Sequence, residues 1–233
     1  MPFLYGLEHS GLLKSQLNLS RDIPSECARK LLHNEVDIGL IPVAVIPLLK
    51  ESYIISDYCI GADGAVKSVM LYSEVPLEKI EKIYLDYQSR TSVQLLKVLA
   101  KEFWKIKPVF ISAEKGYEEN ISGTNAAIVI GDRTFELNSK FPIIYDLAQE
   151  WKKMTGMPFV FACWVANKKI SEDFIQTFNL ALSLGINNID KSIAHYHLQE
   201  KYPINVSQYL KKYIRYNFDK EQKTALKHFL SKI

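Results

Sequence analysis

No stretch of this chain approaches the ~20 uninterrupted apolar residues of a membrane-spanning helix. Its opening residues also lack the basic stretch, apolar run and small-residue cleavage site of a secretory leader. A cytoplasmic protein is expected. Cysteine is scarce: Cys27, Cys59 and Cys163 are odd in number and widely separated, which excludes a disulfide framework and leaves buried free thiols as the expectation. No histidine stands near Cys163 in sequence to make it a thiolate nucleophile. HExxH, paired CxxC, GxGxxG and GxxxxGK followed by Ser or Thr are all absent. His195 and His197 are two apart in a helical stretch and so point to different faces, poor geometry for a metal. Neither a metal nor a nucleotide cofactor is expected. Charge of one sign is also lacking, since 29 basic and 26 acidic residues leave a net +3 spread along the chain, which argues against a nucleic-acid partner. Repeats and low-complexity linkers are missing as well.

What is present is an ordinary globular composition. At 233 residues, 48% hydrophobic and 24% charged, the chain can bury a large core in one big domain or two lobes. Strands alternate with helices, the pattern of an α/β protein. Ser25 is expected to cap a helix that runs to Leu32. In strand 36–42, Ile38, Leu40 and Ile41 read as a parallel strand covered on both faces. A long strand, 66–73, precedes a compact unit: a strand at Ile83, the Ser89-Arg90-Thr91-Ser92 loop, a helix over 93–103, and strands at 109–112, 126–130 and 143–145. After a strand at 158–165 the chain turns helical. Ser171 caps 172–183, which ends at Gly185; 190–197 continues in helix; Ser207 caps 208–216; Asp219 with Gln222 forms a capping box for the last helix. The segments 66–73 and 159–165 would be crossovers, dividing the chain into lobe 1 (1–72 and 162–233) and lobe 2 (73–161).

Candidate chemistry concentrates at a few turns. Three hydroxyls, a guanidinium and the free amides of a helix start meet at Ser89-Arg90-Thr91-Ser92, which suits a carboxylate or phosphate. A plain N-cap with Arg90 in solvent fits the spacing equally well. Ser68 offers another hydroxyl, or simply faces a neighbouring side chain. Gly131-Asp132 follows an apolar strand at the end where α/β sheets bind ligands, although Asp132 also suits a capping or ion-pair role. Asp37 reads as structural, whereas Pro42 ends its strand and is expected to line the cleft. Asp146, Trp151, Thr155, Gly156, Pro158 and Phe159 make a last group, in which aromatic faces could stack on a planar unsaturated acid. Gly156 would allow close backbone approach beside Thr155; Phe161 and Trp164 read as interlobe core.

The segments Ser89-Arg90-Thr91-Ser92, Gly131-Asp132, Asp37-Ile38-Gly39-Leu40-Ile41-Pro42-Val43 and Thr155-Gly156-Met157-Pro158-Phe159 together resemble the chorismate dehydratase family of menaquinone synthesis, over most of the chain. The resemblance implies a two-lobed, type II periplasmic-binding-protein-like fold with a ligand cleft. It implies a lyase that removes water from chorismate to give 3-(1-carboxyvinyloxy)benzoate, the entry step of the futalosine route, acting on a small dicarboxylate without a cofactor. A homodimer is left open. Within it, Ser89, Arg90, Thr91 and Ser92 would hold an anion, Ser68 would touch substrate, Gly131 and Asp132 would border it, and Thr155, Gly156, Phe159 and Pro42 would line the cleft. General acid–base work has no owner, although a substrate carboxylate could take the proton. Two alternatives stand: a lyase like 1,4-dihydroxy-6-naphthoate synthase, whose cleft histidine has no match here, and a non-catalytic solute-binding module. One departure matters. Met1-Pro2-Phe3-Leu4-Tyr5-Gly6-Leu7-Glu8 resembles a segment that the family precedes with a strand ending in an active-site Asn-Thr, so an open strand ladder and an uncertain activity are expected.

Overall fold

The computed structural model describes residues 1–13 and 16–233. Helix α1 (Pro2–His9) starts on Pro2, whose fixed φ suits the first turn, and buries Phe3 and Leu7. Pro24 likewise opens α2 (Pro24–Leu32); Ile23 holds the cap position and no side chain bonds there, so Ser25 lies inside the helix rather than capping it. Strand β1 (Ile38–Pro42) pairs antiparallel with a strand far down the chain, from Ile38 opposite Ala166 to Pro42 opposite Ala162. Its apolar run therefore reports cover on both faces and not a parallel neighbour. Strand β2 (Tyr53–Ala62) follows after a short turn of helix at Val43–Leu48.

The chain then leaves for a second sheet. This holds β3 (Val69–Ser73), β4 (Lys82–Leu85), β5 (Val109–Ser112), β6 (Asn125–Ile130) and β7 (Ile143–Asp146), in the order β5-β4-β6-β3-β7. The β4 pairs with β5 and β6 are parallel, and those of β3 with β6 and β7 antiparallel. Helix α3 (Arg90–Val98), prolonged by a wider turn to Trp104, covers one face; α4 (Thr134–Leu137) and α5 (Leu147–Thr155) complete the unit. Every residue of β3 is buried.

Strand β8 (Phe159–Ala166) returns to the first sheet, whose order is β1-β8-β2-β9 and whose pairs are all antiparallel. By sheet membership, β3 lies wholly in lobe 2 and β8 wholly in lobe 1. Residues 63–68 link β2 in the first sheet to β3 in the second.

Helix α6 (Glu172–Asn187) is capped by Ser171, whose hydroxyl accepts from the Phe174 amide. It runs straight past Gly185. That glycine is there for close approach instead of termination: a Cβ on Gly185 would lie 1.9 Å from the Pro2 carbonyl oxygen, and one on Gly6 would lie 2.0 Å from that of Ala181. Helices α7 (Ile189–His195), α8 (Leu198–Lys201) and α9 (Val206–Gln208) follow, the last capped by Asn205 and not Ser207. Residues 215–217 form β9 (Arg215–Asn217), because pairing with β2 outweighs helical spacing, and Tyr216 is drawn into the sheet. Asp219 caps α10 (Lys220–Leu230) by accepting from the Gln222 amide. Only half a capping box forms, since the Gln222 side chain is fully buried beside Gly61 with no partner among the described residues.

Cys59 and Cys163 face each other across the β2–β8 pair, both buried and free, and burial pushes the Cys59 thiol up to about 12. Among the described residues no helix is long and apolar enough to cross a membrane.

Candidate functional site

The site grows from the C-terminal ends of β4 and β6 and the start of β3, which lie side by side at the seam between lobes. After β4 the chain turns through Ser89, whose Oγ accepts from the Ser92 amide at 3.1 Å and lies 2.9 Å from the Ser92 hydroxyl. Ser89 is thus the N-cap of α3, and the amides of Arg90 and Thr91 have no intrahelical acceptor. Thr91 is buried, and its hydroxyl accepts from the Ala44 amide at 3.2 Å, tying this turn to the lobe 1 segment just beyond Pro42. Arg90 is exposed and forms no ion pair among the described residues. Ser89 therefore caps the helix, and an exposed cation stands beside two free amides.

At the end of β6, Gly131 adopts φ 68°, a left-handed conformation that suits glycine, and donates its amide to the Ser68 carbonyl at 2.8 Å. Ser68 is buried and accepts from the Tyr209 hydroxyl at 2.7 Å. Asp132 accepts from the Tyr202 hydroxyl, a second bridge from lobe 2 to lobe 1. Burial pushes both phenols up to about 12, with Asp132 adding to the effect on Tyr202. Asp146 caps α5 through the Ala148 and Gln149 amides and accepts from the Lys67 amide at 2.7 Å. Burial raises its carboxyl above the ordinary range while those amides pull it down.

Sequence reasoning missed the centre of this region. Asp86, one residue beyond β4, accepts from the Gln88 amide, the Tyr117 hydroxyl at 2.8 Å, the Ile130 amide at 3.0 Å and the Arg133 guanidinium. Arg133 also pairs with Glu118 and lies over the rings of Tyr87 and Tyr117. Burial opposes the charge on Arg133, but Asp86 and Glu118 hold its pKa above the usual value. The signal was available for Asp86, which ends a strand at the same sheet edge as Gly131. Nothing local marks Tyr202 or Tyr209, whose partners lie 70 and 141 residues away.

Other candidates are placed elsewhere. Thr155 and Gly156 close the far end of α5 from Asp146; the Thr155 hydroxyl bonds to the Trp151 carbonyl of its own helix, and Gly156 is its left-handed cap. Phe159 is core, packed edge-on to Trp151, Phe161 and Phe229. The structure brings Ser89, Thr91 and Ser92 together near Ala44, two residues past Pro42, and separately brings Gly131 to Ser68, whereas Thr155 and Gly156 end α5 and Phe159 lies in the core.

Beside the seam a cavity of about 1190 Å³ follows β1 and is lined by Phe3, Leu40, Trp164, Asp132, Phe135 and Tyr216. Among the described residues β1 is an edge strand, paired only with β8. The Trp164 indole N–H and the Tyr216 hydroxyl have no partner there either, and burial raises the pKa of that phenol.

Two sheets joined by two crossings around a polar seam define a two-lobed type II fold of the periplasmic-binding kind. Solved structures agree: protein AF1704 from Archaeoglobus fulgidus (17% identity, TM-score 0.71, covering 99% of this chain and 91% of that one) and the periplasmic aliphatic sulphonate binding protein SsuA from Escherichia coli (18%, 0.57, 99% and 88%). A family model described as menaquinone biosynthesis matches residues 1–233, and the chain belongs to that family. It is similar to the chorismate dehydratases of Thermus thermophilus (26% identical over 229 residues, 89% of this chain and 83% of that one) and Campylobacter jejuni (26% over 226 residues, 93% and 84%).

Proposed function

We propose that the chain removes water from chorismate to give 3-(1-carboxyvinyloxy)benzoate, at the entry of the futalosine route to menaquinone and in the cytoplasm. The observation that carries this reading is the unpaired Arg90 at the open start of α3, set in the seam of a chain that belongs to a menaquinone-biosynthesis family. Chorismate carries two carboxylates. One is assigned to the Arg90 guanidinium and the amides of Arg90 and Thr91, where the helix dipole and charge-assisted bonds both favour an anion. Ser68 with Tyr209, and Gly131 with Asp132, border the ring from the other side.

The chemistry suits a site built for position. A ring C–H and the neighbouring C–O bond break, the C–H electron pair becomes the third ring double bond, and hydroxide leaves with a proton as water. Aromatisation makes the product side downhill, so orientation carries most of the rate. Asp86 and Asp146 are committed to their donors and Asp132 to Tyr202. The ring proton is therefore assigned to a carboxylate of the substrate itself.

The test is incubation with chorismate, following by mass spectrometry a product lighter by one water. Arg90→Ala should lower kcat/KM about 100-fold through the lost charge-assisted contact while leaving the melting temperature unchanged, because the side chain is exposed. Ser68→Ala should cost about tenfold. Wild-type turnover in both variants would remove these residues from the site. Absence of product, with chorismate still protecting against thermal unfolding, would favour the binding-module reading.

A further inference from the structure

We propose that Glu8, His9 and His195 form a binding site for one divalent transition-metal ion of the zinc type, which would staple α1 to α7. The three side chains come from the last turns of two helices that are 186 residues apart in sequence yet adjacent in space. One donor atom from each lies within 4.8 Å of the others, with Glu8 half-buried and both histidines exposed.

The group is already arranged as metal ligands are. His9 Nδ1 lies 3.0 Å from the Tyr5 carbonyl oxygen. A carbonyl only accepts, so that nitrogen donates, which leaves Nε2 as the ring atom open to a metal ion. Fixing the tautomer by a bond from the other ring nitrogen to a backbone carbonyl is the usual outer-shell support of a ligating histidine. Tyr5 also stacks on His9 at 4.3 Å and 13°, restricting its rotation. His195 meets the His9 ring edge-on at 4.4 Å and is held against Tyr5 and Tyr196. The Glu8 carboxylate accepts from the Tyr196 hydroxyl and from Arg21. Those two bonds outweigh burial and keep its pKa below the ordinary range, so it is an anion at neutral pH.

Two imidazoles and a carboxylate match zinc, copper or nickel better than magnesium or calcium, which prefer all-oxygen shells. Tetrahedral zinc with bonds near 2.1 Å sets its donors about 3.4 Å apart. From spacings of up to 4.8 Å the donors need to draw together by at most about 1.4 Å, and a fourth position remains for water. The competitor is Arg21, whose guanidinium pairs with Glu8 but is 59% exposed and can swing into solvent.

The consequence is mechanical. Pro2, Phe3, Leu4 and Leu7 of α1 line the cavity along β1, so a staple at the far end of this helix holds one wall of that cavity in place.

The test uses untagged, chelator-stripped full chain titrated with zinc chloride by calorimetry in the presence of a weak competing chelator. One ion should bind per chain, with a rise in melting temperature. His9→Ala and His195→Ala should each weaken binding at least tenfold and abolish the rise, while the metal-free variants melt near the parent because both rings are exposed. His33→Ala, on a different helix, should bind as the parent does. Arg21→Ala should bind zinc more tightly, since the competing cation is gone. Unchanged affinity in both histidine variants, or equal loss in His33→Ala, would overturn the site.

Discussion

Replacing Gly185 by alanine should lower the melting temperature by about 6–12 °C, a loss of about 3 kcal/mol in a chain of this size. Alanine is normally the better helix former, so propensity alone argues the opposite sign. Space decides. The added methyl would lie 1.9 Å from the Pro2 carbonyl oxygen, where real contacts of this kind stay beyond 3.0 Å, and the obstacle is backbone that cannot rotate away. The helices must part by about 1 Å, which loosens Phe3 against Trp164 and Tyr216. Gly6→Ala creates the same overlap from the other side, 2.0 Å from the Ala181 carbonyl oxygen. One separation relieves both clashes, so the double variant should lose clearly less than the sum of the two singles. Thermal melts of the three variants measure this. A shift under ~2 °C for Gly185→Ala would mean that α1 does not rest on α6 as described.

Asp86→Ala should cost about as much, on the order of 3 kcal/mol, by a different mechanism. The carboxylate is buried and serves two backbone amides, a buried phenol and a guanidinium at once. Removing it strands the Ile130 amide and leaves the buried Tyr117 hydroxyl with the Ile128 carbonyl, 2.6 Å away, as its remaining partner. Breaking one side of a buried ion pair typically costs about 3–5 kcal/mol; Arg133 retains Glu118 and partial exposure, which places the loss at the lower end. Because Ile130 precedes Gly131, turnover of chorismate should fall as well, even at temperatures where the variant is folded. Circular dichroism and the mass-spectrometric assay read the two effects separately. A variant that melts and turns over like the parent would show that Asp86 does not organise this edge.

The class of fold was legible because it rests on local pattern: alternating strands and helices, the Ser171 and Asp219 caps, and the break at Pro158. Ser89 as a helix cap and Gly131 at the end of a strand were legible for a similar reason, whereas Ser68 was singled out through the family resemblance. Failures came where distant partners decide. Gly185 looked like a stop because glycine usually is one, yet here Pro2 needs the room. Tyr216 sat in helical spacing, and it is Tyr58 opposite Asn217 and Gly61 opposite Arg215 that make that segment a strand. Thr155-Gly156 carried the composition of a contact loop, but its hydroxyl and φ 73° are spent on ending α5. The ring beside His195 is His9, far away in sequence, a contact that no local pattern announces.

Strand order in the first sheet also fixes when each lobe can fold during synthesis. β1 and β2 do not touch; β8 lies between them, with Ile38 opposite Ala166. As the ribosome delivers the chain, lobe 1 therefore has no ladder to close until β8 emerges, after all of lobe 2. Lobe 2 has its five strands within one continuous stretch, Val69 to Asp146. Chains stalled just past β7 should accordingly protect that stretch from protease while the first 62 residues are cut. Closing β1 on β8 spans more than a hundred residues, a slow, long-range step. The seam, which needs both lobes, thus forms only after β8 has emerged.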